Sequence, residues 1–226
     1  MSHTTDPQPL GDFVAEWRRL GLIPDGPPTA PATPIDTAAY IRERRLERFK
    51  EICPPEFLQA IDRTKIANVA AWDEADAWPG THPGIWLWSN DTGEAKTRML
   101  WRKFGQLHVD HGKSVMRTTG LHLAEDYRDC IHRAATTAFY GRFGRIDVVM
   151  LDDLDKIPLP QMGQGFRASE EADRNGRMLR ELFDGFYEDH TPVLVTANEP
   201  IAWFGARLGP SGERRMREVC KEIEFK

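Results

Sequence analysis

Lys96 and Thr97 stand together at the end of a small polar turn, in the stretch GIWLWSNDTGEAKTRMLW that runs from Gly84 to Trp101. The apolar run Ile85-Trp86-Leu87-Trp88 ahead of the turn reads as a strand, and the residues after Thr97 read as a helix. Strand, loop, Lys-Thr and helix is the layout of a phosphate-binding loop. Backbone N–H groups and the helix N-terminus would cradle phosphate oxygens, the lysine would neutralise charge, and the hydroxyl would ligate Mg²⁺. The candidate cradle is Asn90, Asp91, Thr92, Gly93, Glu94, Ala95, Lys96 and Thr97. It departs from the usual Gly-x-x-Gly-x-Gly-Lys-Thr at two places, Asn90 and Ala95. Asn tolerates positive φ better than most residues. Ala95 is the graver change, because it puts a Cβ where the backbone comes close to phosphate. An ordinary strand-turn-helix with a surface lysine is the alternative reading of this loop.

Three further groups fit the same chemistry. Val148-Val149-Met150-Leu151-Asp152-Asp153 is an apolar strand ending in two acids. With a strand and a helix between it and Lys96, it stands where a second nucleotide motif belongs. Asp152 would position Mg²⁺ and Asp153 would polarise the attacking water. Val193-Leu194-Val195-Thr196-Ala197-Asn198 is an apolar strand with Asn198 at its tip, where a polar side chain would sit beside the γ-phosphate. A helix-capping role for Asn198 before Glu199-Pro200 is the plainer reading. Arg214-Arg215-Met216-Arg217 could lend an arginine to a neighbouring subunit's γ-phosphate, or be a solvated basic helix.

Elements to carry these residues can be placed from pattern. The spacing predicts helices over 37–52, stopped by Pro54-Pro55, and over 56–71. Strands are expected at 85–88, 114–118, 147–151, 192–197 and 222–225. Helices fall between them at 96–109, 124–140, 169–188, 201–206 and 212–220. Continuously apolar strands alternating with helices indicate an α/β fold with a mostly parallel sheet covered on both faces. Ligands in such sheets bind at the C-terminal strand edge. Ahead of this core, 11–22 suits a short amphipathic helix, and Pro24–Pro34 a proline-rich linker that could hold that helix as a partner-docking element. The expected division is 1–34 as helix and linker, 35–80 as a helical lead-in and 81–226 as the core. The loop 157–167, with its prolines and glycines, reads as an inert connection or a mobile contact element.

Bulk properties narrow the setting. The chain has 226 residues and a formal net charge of −5, so it is not a general nucleic-acid glue, and any DNA contact must come from a local basic face. One such stretch, Arg42, Arg44, Arg45, Arg48 and Lys50, is interleaved with Glu43, Glu47 and Glu51 and reads as a solvated helix face. The other is Arg207, Arg214, Arg215, Arg217 and Lys221. No apolar run is long enough to span a membrane. The 3 cysteines are far apart and odd in number, which suits a reducing cytoplasm, and the N-terminus has no secretory pattern.

In their order, GIWLWSNDTGEAKTR, IDVVMLDDLDK, TPVLVTAN and ERRMREVCKEIEF resemble the AAA+ ATPases, and within them the DnaC/IstB-like branch of helicase loaders and transposition helpers. The resemblance covers Gly84–Phe225. It implies a P-loop NTPase core with a short helical N-terminal extension and no C-terminal lid, binding ATP and Mg²⁺. Lys96 and Thr97 would be the Walker A pair, Asp152 and Asp153 the Walker B acids with Thr97 and Asp152 holding the metal, and Asn198 sensor 1. Arg215 would be the arginine finger, with Arg214 its alternate. The implied function is an ATP-hydrolysing replication accessory protein that self-associates and acts on a replicative helicase and single-stranded DNA. A non-hydrolysing scaffold of the same shape, and a transposition helper ATPase, are the competing readings. A metabolic P-loop kinase fits less well, because it needs a lid and an acceptor site.

Overall fold

The computed structural model describes Arg19 and residues 36–90, 95–160 and 169–225. The helix expected over 11–22, the proline-rich stretch, Asp91, Thr92, Gly93, Glu94 and the loop from 161 onward lie outside the described residues. The chain divides into two compact units, Met1–Tyr40 and Ile41–Lys226. In the first, Asp36 Oδ1 accepts the N–H groups of Ala38 and Ala39, each at 3.1 Å. The second carries the sheet and the helices that cover it.

Helix α1 (Thr37–Ile52) ends at the prolines, as its sequence requires. The helix expected over 56–71 is broken. A single turn at Pro55–Leu58 is followed by a 3₁₀ turn at Arg63–Lys65, and helix α2 spans Val69–Ala77. Side-chain caps cause the break. Asp62 accepts the Thr64 N–H, and Asn68 accepts the Ala71 N–H at 3.0 Å, so each starts a new turn.

The core then alternates. Strand β1 (Gly84–Trp88) leads through the phosphate-loop region to helix α3 (Ala95–Gly105), which widens into a π turn at Gln106–Asp110. Next come β2 (Val115–Thr119), α4 (Gly120–His132), α5 (Thr136–Gly141) and β3 (Val148–Asp152). After these run α6 (Glu170–Glu188), β4 (Val193–Ala197), α7 (Ile201–Leu208), α8 (Pro210–Val219) and β5 (Cys220–Glu224). The single helix expected over 124–140 is two, because Ala134 takes a left-handed φ of 51° that an α-helix cannot continue.

The strands order β2-β3-β4-β1-β5, and every pairing is parallel. Alternation along each strand deals its apolar residues to two faces. Ile85, Leu87, Val148, Met150 and Leu194 pack with Trp72, Met99, Leu100 and Phe104 on one side. Trp86, Val149, Leu151, Val193 and Val195 pack with Leu123, Met178, Phe183, Phe186 and Phe204 on the other. Gly84 lies against the Val193 carbonyl so closely that a Cβ would collide with it, which lets β1 enter the sheet beside β4. The result is an α/β core with a wholly parallel sheet in which β4 separates β1 from β3. All of its strands end on one edge.

Candidate functional site

That edge gathers the acids and hydroxyls named above. β1 ends at Trp88 and Ser89, and α3 begins at Ala95, so Lys96 and Thr97 fall in the helix's first turn. Lys96 is buried, with Nζ 3.4 Å from the Ser89 carbonyl oxygen. Thr97 Oγ1 donates to Asp152 Oδ1 at 3.3 Å. Asp152 is the last residue of β3 and is itself buried. Thr97 and Asp152, 55 positions apart, thus meet side chain to side chain.

Asp152 is held by more than the sequence revealed. Its Oδ1 also accepts the Thr196 hydroxyl at 2.6 Å, and its Oδ2 pairs with the Arg117 guanidinium. Thr196 lies in the buried β4, and its Oγ1 accepts the Asp153 N–H at 2.9 Å. It locks the two acids to the neighbouring strand. A lone hydroxyl in the otherwise apolar run VLVTA is the signal that could have marked it.

Asp153 sits at φ 51° and ψ 49°, the left-handed region. Aspartate visits that region more readily than bulkier residues, at a cost of order 1–3 kcal/mol, and such strain concentrates at functional positions. Burial, then the nearby carboxylates of Asp152 and Asp155, push it above the usual carboxylate range, with Lys156 and Lys96 opposing. A carboxyl tuned upward beside a lysine and a second acid is suited to accept a proton.

Asn198 ends β4 and is clamped by Asp155. Its backbone N–H donates to Asp155 Oδ1 at 2.9 Å and its Nδ2 donates to Oδ2 at 3.1 Å. It does not cap the following helix. The Ile201 N–H donates instead to Glu222 Oε1 at 2.6 Å. Asn198 is therefore fixed at the strand tip by an acid of the same loop that carries Asp153.

The arginines of α8 divide. Arg215 is tied within its own chain to Asp184 at 2.8 Å and Glu218 at 2.7 Å, and lies over the Tyr187 ring at 3.9 Å. Arg217 pairs with Glu213 and Glu222. Arg214 keeps 69% of its side-chain surface exposed, with Glu218 at 3.9 Å.

Beside Lys96 opens a cleft of about 560 Å³. Its walls include Ile61, Ile66, Phe225, Asp62, Asn68 and Ser89. The broken lead-in, expected to be plain helix, thus supplies an apolar wall next to the phosphate-loop lysine. That volume is in the range of small-molecule sites, and its mixture of apolar wall and few polar groups is typical of them. A buried cation, a helix N-terminus and a hydroxyl–carboxylate pair fit a nucleoside triphosphate and its divalent cation. Among the described residues no group of three or more His, Cys, Asp and Glu could hold a metal by itself. No described helix is long and apolar enough to cross a membrane.

No family model matches the sequence, and no curated protein matches it. The fold has many solved counterparts. The DnaC helicase loader superposes with a TM-score of 0.53 at 13% identity, covering 79% of this chain and 96% of that one. DnaI gives 0.52 at 16% identity, covering 77% and 92%. AMPPCP-bound DnaA from Aquifex aeolicus gives 0.55 at 14% identity, covering 77% of this chain and 52% of that one. The chain therefore spans about half the length of that DnaA structure. The fold is the AAA+ fold, shared with these three solved structures.

Proposed function

We propose that this chain binds ATP with Mg²⁺ at the sheet edge, hydrolyses it, and works as a loader-like accessory of DNA replication. The observation that carries the reading is the convergence of Lys96, Thr97, Asp152 and Asp153 beside a cleft with an apolar wall. Thr97 and Asp152 would hold the metal, which when bound supplies charge neutralisation at the phosphates. Lys96 neutralises phosphate charge, Asp153 orients the water and takes its proton, and Asn198 is held ready at the γ-phosphate end by Asp155. Subunits associate so that one offers an arginine to the next. Arg214, the exposed one, suits that role better than Arg215, which its own acids already hold. The free cysteines Cys53, Cys130 and Cys220 accord with a reducing cytoplasmic setting.

The neighbours that act as helicase loaders supply the partner half of the proposal: a replicative helicase, with single-stranded DNA held through backbone charge. Its test is sedimentation of this chain with the helicase of its own replication system, with and without ATP. Co-sedimentation that depends on ATP and is lost on Lys96→Ala supports the loader reading. Indifference to ATP and to the substitution overturns it.

Ala95 favours a second reading, a scaffold of the same shape that no longer grips phosphate. Its Cβ stands at the first position of α3, partly packed on the core. The double repair Asn90→Gly, Ala95→Gly discriminates. For a scaffold, nucleotide affinity rises by about tenfold or more, which is the scale of one recovered charge-assisted hydrogen bond. For a working loop it does not rise, and the roughly 1 kcal/mol that helix formation loses to the added glycine lowers it by about fivefold at most.

A further inference from the structure

Arg117 does not belong to the motifs that define the site, yet it makes the ion pair that fixes the metal-side acid. It sits in β2, in register with Met150 of β3. Its guanidinium lies over the Trp101 ring at 4.5 Å and reaches Asp152 Oδ2. Only 25% of its side chain is exposed, and 4% of that of Asp152. Arg117 Nε is buried without a hydrogen-bond partner among the described residues. A partly buried guanidinium with an orphaned buried donor is a costly arrangement, so the pairing with Asp152 and the stacking on Trp101 are what retain it. Planar stacking with one face and a forked edge left for a carboxylate is a task for arginine rather than lysine.

The two oxygens of Asp152 are consequently unlike. Oδ1 takes the hydroxyls of Thr97 and Thr196, and Oδ2 is committed to Arg117. Both oxygens of the carboxylate are thus engaged by groups of its own protein. We propose that Arg117 is the built-in counter-ion of Asp152, and that it sets how strongly this site draws a divalent cation. Arg117 is thus a positioning residue. It holds Asp152 in one orientation with Oδ1 toward Thr97, and its charge weakens the pull of the carboxylate on the cation. The other charges near this point, Lys96, Asp153, Asp155 and Lys156, come from the phosphate loop and the turn after β3, not from β2. Among the described charged groups, Arg117 is the one that reaches Asp152 from a neighbouring strand.

The inference rests on the reading of this edge as a nucleotide–Mg²⁺ site, and two measurements separate the two claims. The first is thermal unfolding without nucleotide for wild type, Arg117→Lys, Arg117→Met, Asp152→Asn and the double variant Arg117→Met, Asp152→Asn. Arg117→Met leaves a buried carboxylate without its cation and lowers Tm sharply. The double variant removes that charge and recovers most of the loss, and Arg117→Lys, which keeps a charge but loses the planar stack and the fork, falls between wild type and Arg117→Met. Strict additivity of the two single substitutions overturns the counter-ion. If Arg117→Met does not fold, a folded double variant upholds the pair and an unfolded one overturns it. The second measurement is the affinity for a fluorescent ATP analogue in Mg²⁺ against that in EDTA. The ratio is larger in Arg117→Met than in wild type by about tenfold or more, the scale of removing a unit charge at close range. If Arg117→Met is too unstable to titrate, the same ratio rises in Arg117→Lys, whose ammonium lacks the fork. An unchanged or smaller ratio in a folded variant overturns the tuning. Absence of analogue binding by the wild type overturns the nucleotide reading itself, and the unfolding cycle then decides the ion pair alone.

Discussion

Replacing Lys96 by Ala is expected to weaken Mg²⁺–ATP binding by roughly a hundred- to ten-thousandfold, on the scale of two lost charge-assisted hydrogen bonds at about 1.5–3 kcal/mol each. The size follows from placement. Lys96 is buried in the first turn of α3, where the helix dipole and the ammonium point the same positive field at one spot. Lys65 and Arg98 line the same cleft, and of the three cations Lys96 is the buried one. The fold itself should not suffer. Taking a charge out of a buried position removes a desolvation penalty, so Tm should hold or rise slightly. A titration of purified wild type and variant, with unfolding curves on both, checks the two halves together. Wild-type-like binding by a folded Lys96→Ala chain would remove Lys96 from the site. Binding lost together with Tm would mean that the lysine serves the fold.

How much of this was open to reading in the sequence depends on the kind of information each element carries. The strands that position the site were legible because a doubly covered strand has to be apolar at nearly every position, and IWLW, VVML and VLVTA have little else they can be. That Lys96 and Thr97 begin a helix and that Asp152 and Asp153 lie at the tip of a strand was legible because motif spacing ties a residue to a strand end. The lead-in was not. Whether 56–71 forms one helix or several turns is decided by Asp62 and Asn68 reaching back to nearby N–H groups, and those caps compete on nearly equal terms with the helix they interrupt. The cleft wall of Ile61, Ile66 and Phe225 was hidden for the same reason, since it joins residues from opposite ends of the core.

Arg117 and Thr196 illustrate a different limit. Each acts through a partner on the adjacent strand, and strand order is not written in any single strand. β2 beside β3 and β4 beside β3 are what bring both to Asp152. Asn198 was placed at the right strand tip, yet its clamp by Asp155 depends on how the turn after β3 folds back. The arginines of α8 show how composition misleads. Three in four residues looked interchangeable, and the acids Asp184, Glu213 and Glu218 distinguish them by tying down Arg215 and Arg217.

Asp153→Asn is the sharper probe of hydrolysis. Turnover is expected to fall by about 10²–10⁴, the usual contribution of a positioned general base, while ATP affinity changes by less than about threefold. The substitution leaves the backbone at ease, because Asn accepts the left-handed φ of 51° at least as readily as Asp. The Asp153 N–H that donates to Thr196 is untouched. Stability has a definite sign. Asp153 is held above its ordinary range by burial and by Asp152 and Asp155, so ionising it disfavours the fold. The stability that its neutral form contributes is present below the unfolded-state pKa of about 3.9 and is lost as pH rises through the folded value. The amide is neutral throughout, so at neutral pH the variant is as stable as wild type or more so, and the difference vanishes toward acid. The same raised carboxyl sets the acid limb of the rate. Wild-type kcat/KM should fall as pH drops through a value above the usual carboxylate range, and the residual rate of Asp153→Asn should lack that limb. Single-turnover hydrolysis across acid to neutral pH, alongside binding, reads all of this. Unaltered turnover in a folded Asp153→Asn chain would give the water-activating role to another group, with Asp155 next to it and already engaged by Asn198. Loss of turnover with affinity intact would place the chemistry at the turn after β3, where the strained residue and the raised carboxyl coincide.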